Sequence, residues 1–169
     1  MWYLPVLLKN LIEGPATESF PFSEPRTPAT MRGRMSFSAE DCALCRMCAR
    51  VCPAGAIQFG KVDGGQSFTL WHNSCVFCGL CAHYCDSKAL KPIPDWHLSH
   101  TTDATYDMVE EGQVFAQKCG GCGRQKMPVS EALAHKLYPE IEDKAEIAVL
   151  RTLCPSCRKS RLATRDAAA

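Results

Sequence analysis

The sequence lacks any long apolar run. Its longest, Trp2 to Leu8, is seven residues, contains Pro5 and follows no basic region. A bilayer-spanning helix needs about 20 apolar residues, so no transmembrane helix is expected, and a secretory leader is not expected either. Charge of one sign is also lacking. Nineteen basic side chains stand against 18 acidic ones, a net charge of +1, which gives no reason to expect nucleic acid as a partner. There is no nucleophile with a base at a recognisable spacing, no phosphate-binding glycine loop and no Cys-x3-Cys-x2-Cys run for radical chemistry. With 46% hydrophobic and 22% charged residues, the 169-residue chain reads as globular, of a length for one ordinary domain or two small ones.

What the sequence has in excess is cysteine. The 12 cysteines fall at 42, 45, 48, 52, then 75, 78, 81, 85, then 119, 122, and finally 154, 157. Every one belongs to a Cys-x-x-Cys or Cys-x-x-x-Cys step. Thiolates this close along one backbone converge on metal without drawing distant chain together. In a reducing compartment they are also not expected to pair as disulfides.

Residues 42–52 read Cys-x2-Cys-x2-Cys-x3-Cys and are followed by Pro53; residues 75–85 repeat the run and are followed by Asp86. At an offset of 33 residues, Cys42, Cys45, Cys48, Ala49, Cys52 and Ala56 meet identical residues. This is an internal duplication. In such pairs three cysteines hold one cubane cluster and the fourth ligates the other. The spacing therefore assigns a first [4Fe-4S] cluster to Cys42, Cys45, Cys48 and Cys85, and a second to Cys75, Cys78, Cys81 and Cys52. The fourth cysteine is expected to start a helix leading away, with a short helix over Pro53–Phe59 running into a strand. Asp63-Gly64-Gly65 is a turn signal, and Ser67–Trp71 a returning strand. A core of this size buries little apolar surface, so the clusters are expected to staple it. Residues 42–92 carry five basic against two acidic side chains, which partly offsets the roughly −2 charge of each oxidised cluster with its thiolates. Asp86 adds negative charge beside Cys85 and is expected to lower the potential of the first cluster.

The remaining cysteines, Cys119, Cys122, Cys154 and Cys157, form two knuckles around a folded spacer, the pattern of a mononuclear site. Four thiolates suit a structural zinc, although a rubredoxin-like iron has the same ligands. Gly123 is expected to free backbone N–H groups to point at the sulfurs. Helices are expected over Glu131–Tyr138 and Glu140–Leu150, broken at Pro139. The basic run Arg158, Lys159, Arg161 and Arg165 reads as a solvated terminus. His72 and His83 flank the second motif, His97 and His100 lie in a polar linker and His135 sits on a helix; none is needed as a ligand.

At the start, Leu4, Leu7, Leu8, Leu11 and Ile12 mark one face of a short amphipathic helix, and Gly14-Pro15 stops it. Residues 15–38, rich in Pro, Ser and Thr, read as an extended arm. The resulting division is 1–38 helix and docking arm, 39–94 two-cluster domain, 95–117 linker and 118–169 four-Cys subdomain, an α+β architecture throughout.

With Ser-Phe-Pro at 19–21, Arg-Gly-Arg at 32–34, the paired motifs including Cys-Val-Phe-Cys-Gly-Leu-Cys at 75–81, and the C-terminal knuckles, the chain resembles a known family. This is the two-cluster ferredoxin-like subunit of membrane-bound [NiFe] hydrogenases of the formate hydrogenlyase type, related to the eight-iron subunit of respiratory complex I. Asp86 departs from the family's usual proline. The resemblance implies a non-catalytic electron-transfer component of an oxidoreductase complex. Its partners would be hydrogenase small and large subunits, a formate dehydrogenase-type module and, through the N-terminal helix, membrane subunits. Its place would be peripheral, on the cytoplasmic side of the inner membrane. A complex I subunit, a soluble ferredoxin and a zinc-ribbon nucleic-acid-binding regulator are the alternatives.

Overall fold

A computed structural model describes residues 3–14, 17–19 and 22–166, the side chains of 165 and 166 excepted. Pro15 of the helix stop, Phe20 and Pro21 of the arm, and the Arg165 side chain lie outside the described residues. The chain divides into two compact units, Met1–Met31 and Arg32–Ala169.

In the first unit, α1 spans Tyr3–Glu13. Pro5 falls in its first turn, where the missing N–H costs no intrahelical bond. Gly14 closes it at a φ of 79°, its N–H donating to the Asn10 carbonyl at 3.0 Å. Every residue of α1 is exposed, including the whole leucine face. Among the described residues no helix is long and apolar enough to cross a membrane.

Among the described residues the second unit holds three small antiparallel sheets, the last of them opening a mainly helical C-terminal part. Strand β1 (Met35–Phe37) pairs with β4 (Leu90–Pro92), joining the two halves of the duplication. Strands β2 (Ile57–Val62) and β3 (Gly65–Trp71) form a hairpin around the expected Asp63-Gly64 turn, with Val62 opposite Gly65. Alternation along β3 turns Phe68 and Leu70 inward, both 1% exposed, onto Met35, Ala56, Ile57, Leu90 and Val114. The Phe37 and Phe68 rings stack at 3.9 Å.

Four expectations are corrected. First, the helices precede the fourth cysteine of each motif: α2 is Met47–Val51 and α3 is Leu80–His83, and 53–56 is turn and extended chain rather than helix. Pro53 explains the first case, because it pushes Cys52 out of the helical region, to φ −74° and ψ 110°. Second, the segment read as a linker contains β5 (Val109–Phe115), the third strand of the β2–β3 sheet. Adjacent Glu110 and Glu111 mask its alternation in the sequence. Its Gly112 faces Phe68 in register and leaves the space that the Phe37 ring fills, since a Cβ there would lie 2.7 Å from the ring. Third, Met35–Phe37 of the arm is a sheet strand, anchored further by the Phe37 N–H donating to the Glu110 carboxylate at 2.9 Å. Fourth, the last spacer helix starts late.

That C-terminal part runs from a hairpin of β6 (Gln117–Lys118) and β7 (Gln125–Lys126) into α4 (Glu131–Leu137), α5 (Lys144–Thr152) and α6 (Pro155–Asp166). Helix α5 begins at Lys144 because the Asp143 carboxylate caps it, accepting from the Ala145 N–H at 2.8 Å. Ala134, Ile141, Ile147 and Leu150 form the core of this part.

Candidate metal centres

The two cysteine loops share an unusual backbone. Leu44 and Phe77 have φ of 55° and 53°, Arg46 and Gly79 58° and 76°, Gly55 and Lys88 60° and 57°. Each pair is separated by the 33-residue repeat, so the duplication extends to the left-handed positions. Such positions disfavour side chains that carry a Cβ, and their use by Leu44, Arg46, Phe77 and Lys88 marks backbone held for a purpose. The bends turn N–H groups onto sulfur: Leu44 to Cys42 at 3.5 Å, Phe77 to Cys75 at 3.4 Å, Ala56 to Cys52 at 3.3 Å.

The loops sort the eight sulfurs into two groups. Cys42, Cys45, Cys48 and Cys85 line one cavity, walled by Phe37, Phe59 and Leu90. Burial pushes the Cys48 thiol up to about 12, with the Cys42, Cys45 and Cys85 charges adding to it. Burial also raises Cys42, next to Cys85 and Cys45. In the other group, burial pushes Cys81 up to about 11, assisted by Cys75, Cys78 and Cys52. Cys75 is raised by burial and by Cys52 and Cys78. Thiols crowded in this way resist ionising alone. A bound cationic group supplies the charge that lets them ionise, releasing protons as it binds. This donor set, four sulfurs around one space with apolar walls and N–H groups aimed at sulfur, fits an iron–sulfur cluster.

Residues that the spacing argument did not single out surround these loops. The Arg32 guanidinium donates to the Cys78 carbonyl at 3.0 Å. Arg34 pairs with Asp95, and Gly33 beside it allows close approach of the two backbone segments, since a Cβ there would lie 2.2 Å from the Asp95 carbonyl oxygen. Of the histidines, His72 is buried at 2% exposure and its backbone N–H donates to the Met108 carbonyl at 2.9 Å. Burial, then Arg34, lowers its pKa. His83 packs edge-on to Tyr84, His97 contacts Asp95, His100 contacts the Leu98 carbonyl and His135 faces Glu131. Asp86, expected as an added negative charge, is ion-paired with Lys136 of α4; that contact and the Lys136 charge lower its pKa.

The sulfurs of Cys119, Cys122, Cys154 and Cys157 lie within 4.8 Å of one another. Cys122 and Cys154 are 3.7 Å apart, against about 3.8 Å for two thiolates at tetrahedral positions about 2.3 Å from one ion. This spacing suits a single metal. The Cys119 thiol is brought down to about 6, chiefly by the Cys154 N–H, which reaches its sulfur at 3.1 Å. Arg124 lowers Cys122, its Nε donating at 3.4 Å. Cys157, facing the sulfurs of Cys154, Cys122 and Cys119, is pushed up to about 12. Gly121 aims its own N–H at the Cys119 sulfur at 3.4 Å; after Gly123, left-handed at φ 71°, the Arg124 N–H meets the Cys122 sulfur, while the Gly123 N–H donates to the Cys119 carbonyl. The basic run is partly internal. Arg158 is 8% exposed and donates to the Leu153 carbonyl, and Arg161 makes two bonds to the Glu146 carboxylate.

Residues 41–90 match the family model of the 4Fe-4S dicluster domain. NAD(P)H-quinone oxidoreductase subunit I of Gloeobacter violaceus is 27% identical over 118 residues, covering 64% of this chain and 56% of that protein. NADH-quinone oxidoreductase subunit I 2 of Streptomyces coelicolor is 27% identical over 114 residues, 58% of each. The chain thus spans little more than half the length of these curated relatives. Among solved structures, an archaeal respiratory membrane complex, the membrane-bound sulfane sulfur reductase, contains a chain of 23% identity and TM-score 0.48, matching 82% of this chain and 67% of its own length. The fold is α+β: a dicluster ferredoxin domain with an N-terminal helix and arm, and a C-terminal part carrying a four-Cys group.

Proposed function

We propose that the protein is an electron-transfer subunit that relays single electrons through two [4Fe-4S] clusters within a membrane-associated oxidoreductase complex. Cys42, Cys45, Cys48 and Cys85 hold one cluster, and Cys75, Cys78, Cys81 and Cys52 the other. The observation that carries this reading is the placement of Cys85 in one cavity with the three cysteines of the first motif. Each bound cluster supplies a one-electron store of low reorganisation. The chain's own residues fix four thiolates, exclude water with Phe37, Phe59 and Leu90, and turn the Leu44, Phe77 and Ala56 N–H groups toward sulfur, which favours the added negative charge. Cys45 is exposed, leaving one edge of the first group open to a partner.

Within this reading the complex is of the membrane-bound hydrogenase, formate hydrogenlyase type. The combination of helix, arm, paired motifs and C-terminal knuckles supports that choice. The helix and the part of the arm that precedes β1 dock the two-cluster domain on partner subunits at the cytoplasmic face of the inner membrane, and 118–169 holds a structural zinc. The names of the two curated relatives favour a second reading, a subunit of an NADH-quinone oxidoreductase. Anaerobic affinity purification from native membranes tests both, with metal analysis and identification of the co-purifying chains. The expected result is hydrogenase subunits with about eight irons and one zinc per chain. Quinone oxidoreductase subunits would favour the second reading, about nine irons without zinc would replace the zinc assignment, and the absence of four-iron clusters would end both readings.

A further inference from the structure

The two halves of the duplication differ where the second meets the C-terminal subdomain. After Cys52 the loop reads Pro53-Ala54-Gly55, all exposed; after Cys85 it reads Asp86-Ser87-Lys88. Both loops close the same turn, the N–H of Gly55 or Lys88 donating to the carbonyl of Cys52 or Cys85. Only the second is built with side chains that reach outward and inward. Asp86 pairs with Lys136 of α4. Ser87 is 5% exposed, its Oγ lies 3.5 Å from the Cys85 sulfur, and it lines the first group's cavity. The Ser87 carbonyl accepts from the hydroxyl of Ser130 at 2.9 Å.

Ser130 is completely buried and held from its own side. Its Oγ accepts the Leu133 N–H at 3.1 Å, capping α4. The residue before it, Val129, is tied through its carbonyl to the Arg151 Nε of α5 at 3.0 Å. Helix α5 in turn runs through Leu153 into Cys154 of the four-Cys group. A continuous set of bonded groups therefore leads from the C-terminal site to the loop that carries Cys85.

We propose that Ser87, Ser130 and Lys136 are positioning residues for Cys85: the C-terminal subdomain holds the 85–88 loop so that the Ser87 hydroxyl donates to the Cys85 sulfur and raises the reduction potential of that cluster above what the duplicated loop alone would set. The inference rests on the cluster assignment proposed above. A coordinated thiolate has no proton to give, so Ser87 is the donor of the pair. A donor on a ligand sulfur favours the more negative, reduced state, which raises the potential. Lys136 acts in the same direction by compensating Asp86. The loop after Cys52 has alanine at the position of Ser87, so the two clusters become inequivalent.

Redox titration of the full-length protein, followed by electron paramagnetic resonance under anaerobic conditions, tests this. The signal of the first cluster is identified as the one altered in Cys42→Ser. Ser87→Ala and Ser130→Ala are expected to shift that potential downward and leave the other cluster unmoved, with Ser130→Thr returning it. Lys136→Met, on an exposed side chain outside the core, is expected to lower the same potential. The double variant Asp86→Asn/Lys136→Met is expected to restore it. Wild-type potentials in both Ser87→Ala and Lys136→Met, or equal shifts in both clusters, would overturn the proposal while leaving the cluster assignment intact. A wild-type protein without two four-iron clusters would overturn the assignment itself.

Discussion

Lys88 holds a left-handed backbone at φ 57°, where its counterpart in the first half of the repeat is Gly55. Its side chain is exposed, so little packing offsets the strain. Lys88→Gly is expected to stabilise the cluster-loaded protein by about 1 kcal/mol, less any gain in unfolded-state entropy, as read by anaerobic denaturant titration. No change would mean that the loop relaxes around lysine. Gly33 is the converse. A Cβ there would meet the Asp95 and Ile93 carbonyl oxygens at 2.2 and 2.6 Å, both backbone atoms that cannot swing aside. Gly33→Ala is expected to cost about 2–3 kcal/mol, in the same measurement. Neither position announces itself in one sequence, because a left-handed lysine and a crowded glycine look like ordinary loop residues.

Among the elements, the hairpin β2–β3 was legible because Asp-Gly stood between alternating runs, and the first helix because its leucines recur at helical spacing. Strand β5 was hidden by its paired glutamates; what defines it is the neighbouring strand β3, not its own alternation. The cluster helices were expected after the fourth cysteine and lie before it, since a turn at Arg46 or Gly79 starts each one and the chain leaves the helical region around the fourth cysteine. The start of α5 had a signal in Asp143, a good N-cap residue that the spacing of apolar positions passed over. Asp143→Ala is expected to destabilise the C-terminal part by about 1 kcal/mol, seen as an earlier thermal transition; an unchanged transition would show that α5 is held by Ile147 and Leu150 alone.

At the scale of the molecule, each sulfur group needs both halves of the duplication, as strands β1 and β4 do. Removing the iron is expected to unfold the ferredoxin domain, with loss of β-sheet circular dichroism; a retained sheet would show that Phe68, Leu70 and Met35 suffice as a core. Cys122→Ser, at the exposed sulfur of the C-terminal group, is expected to abolish the metal proposed there while about eight irons remain. Through Arg151, Val129 and Ser130 it should also lower the first cluster's potential. An unmoved potential would mean that the apolar contacts of α4 and α5 hold Ser130 without the metal.

The sequence by itself determined where the thiols crowd: cysteines with two residues between them can share one metal through local backbone, so spacing carries that information, while the fourth sulfur of each cluster group comes from the other half of the repeat. It also carried the duplication, the hairpin and the amphipathic face of α1. Only the tertiary structure decided which charges are neutralised and which hydroxyls face sulfur. Lys136 finds Asp86 across 50 residues and Ser130 finds Ser87 across 43. Such pairs leave no periodic trace, because their partners are chosen by how α4 packs on the loop rather than by the distance between them along the chain.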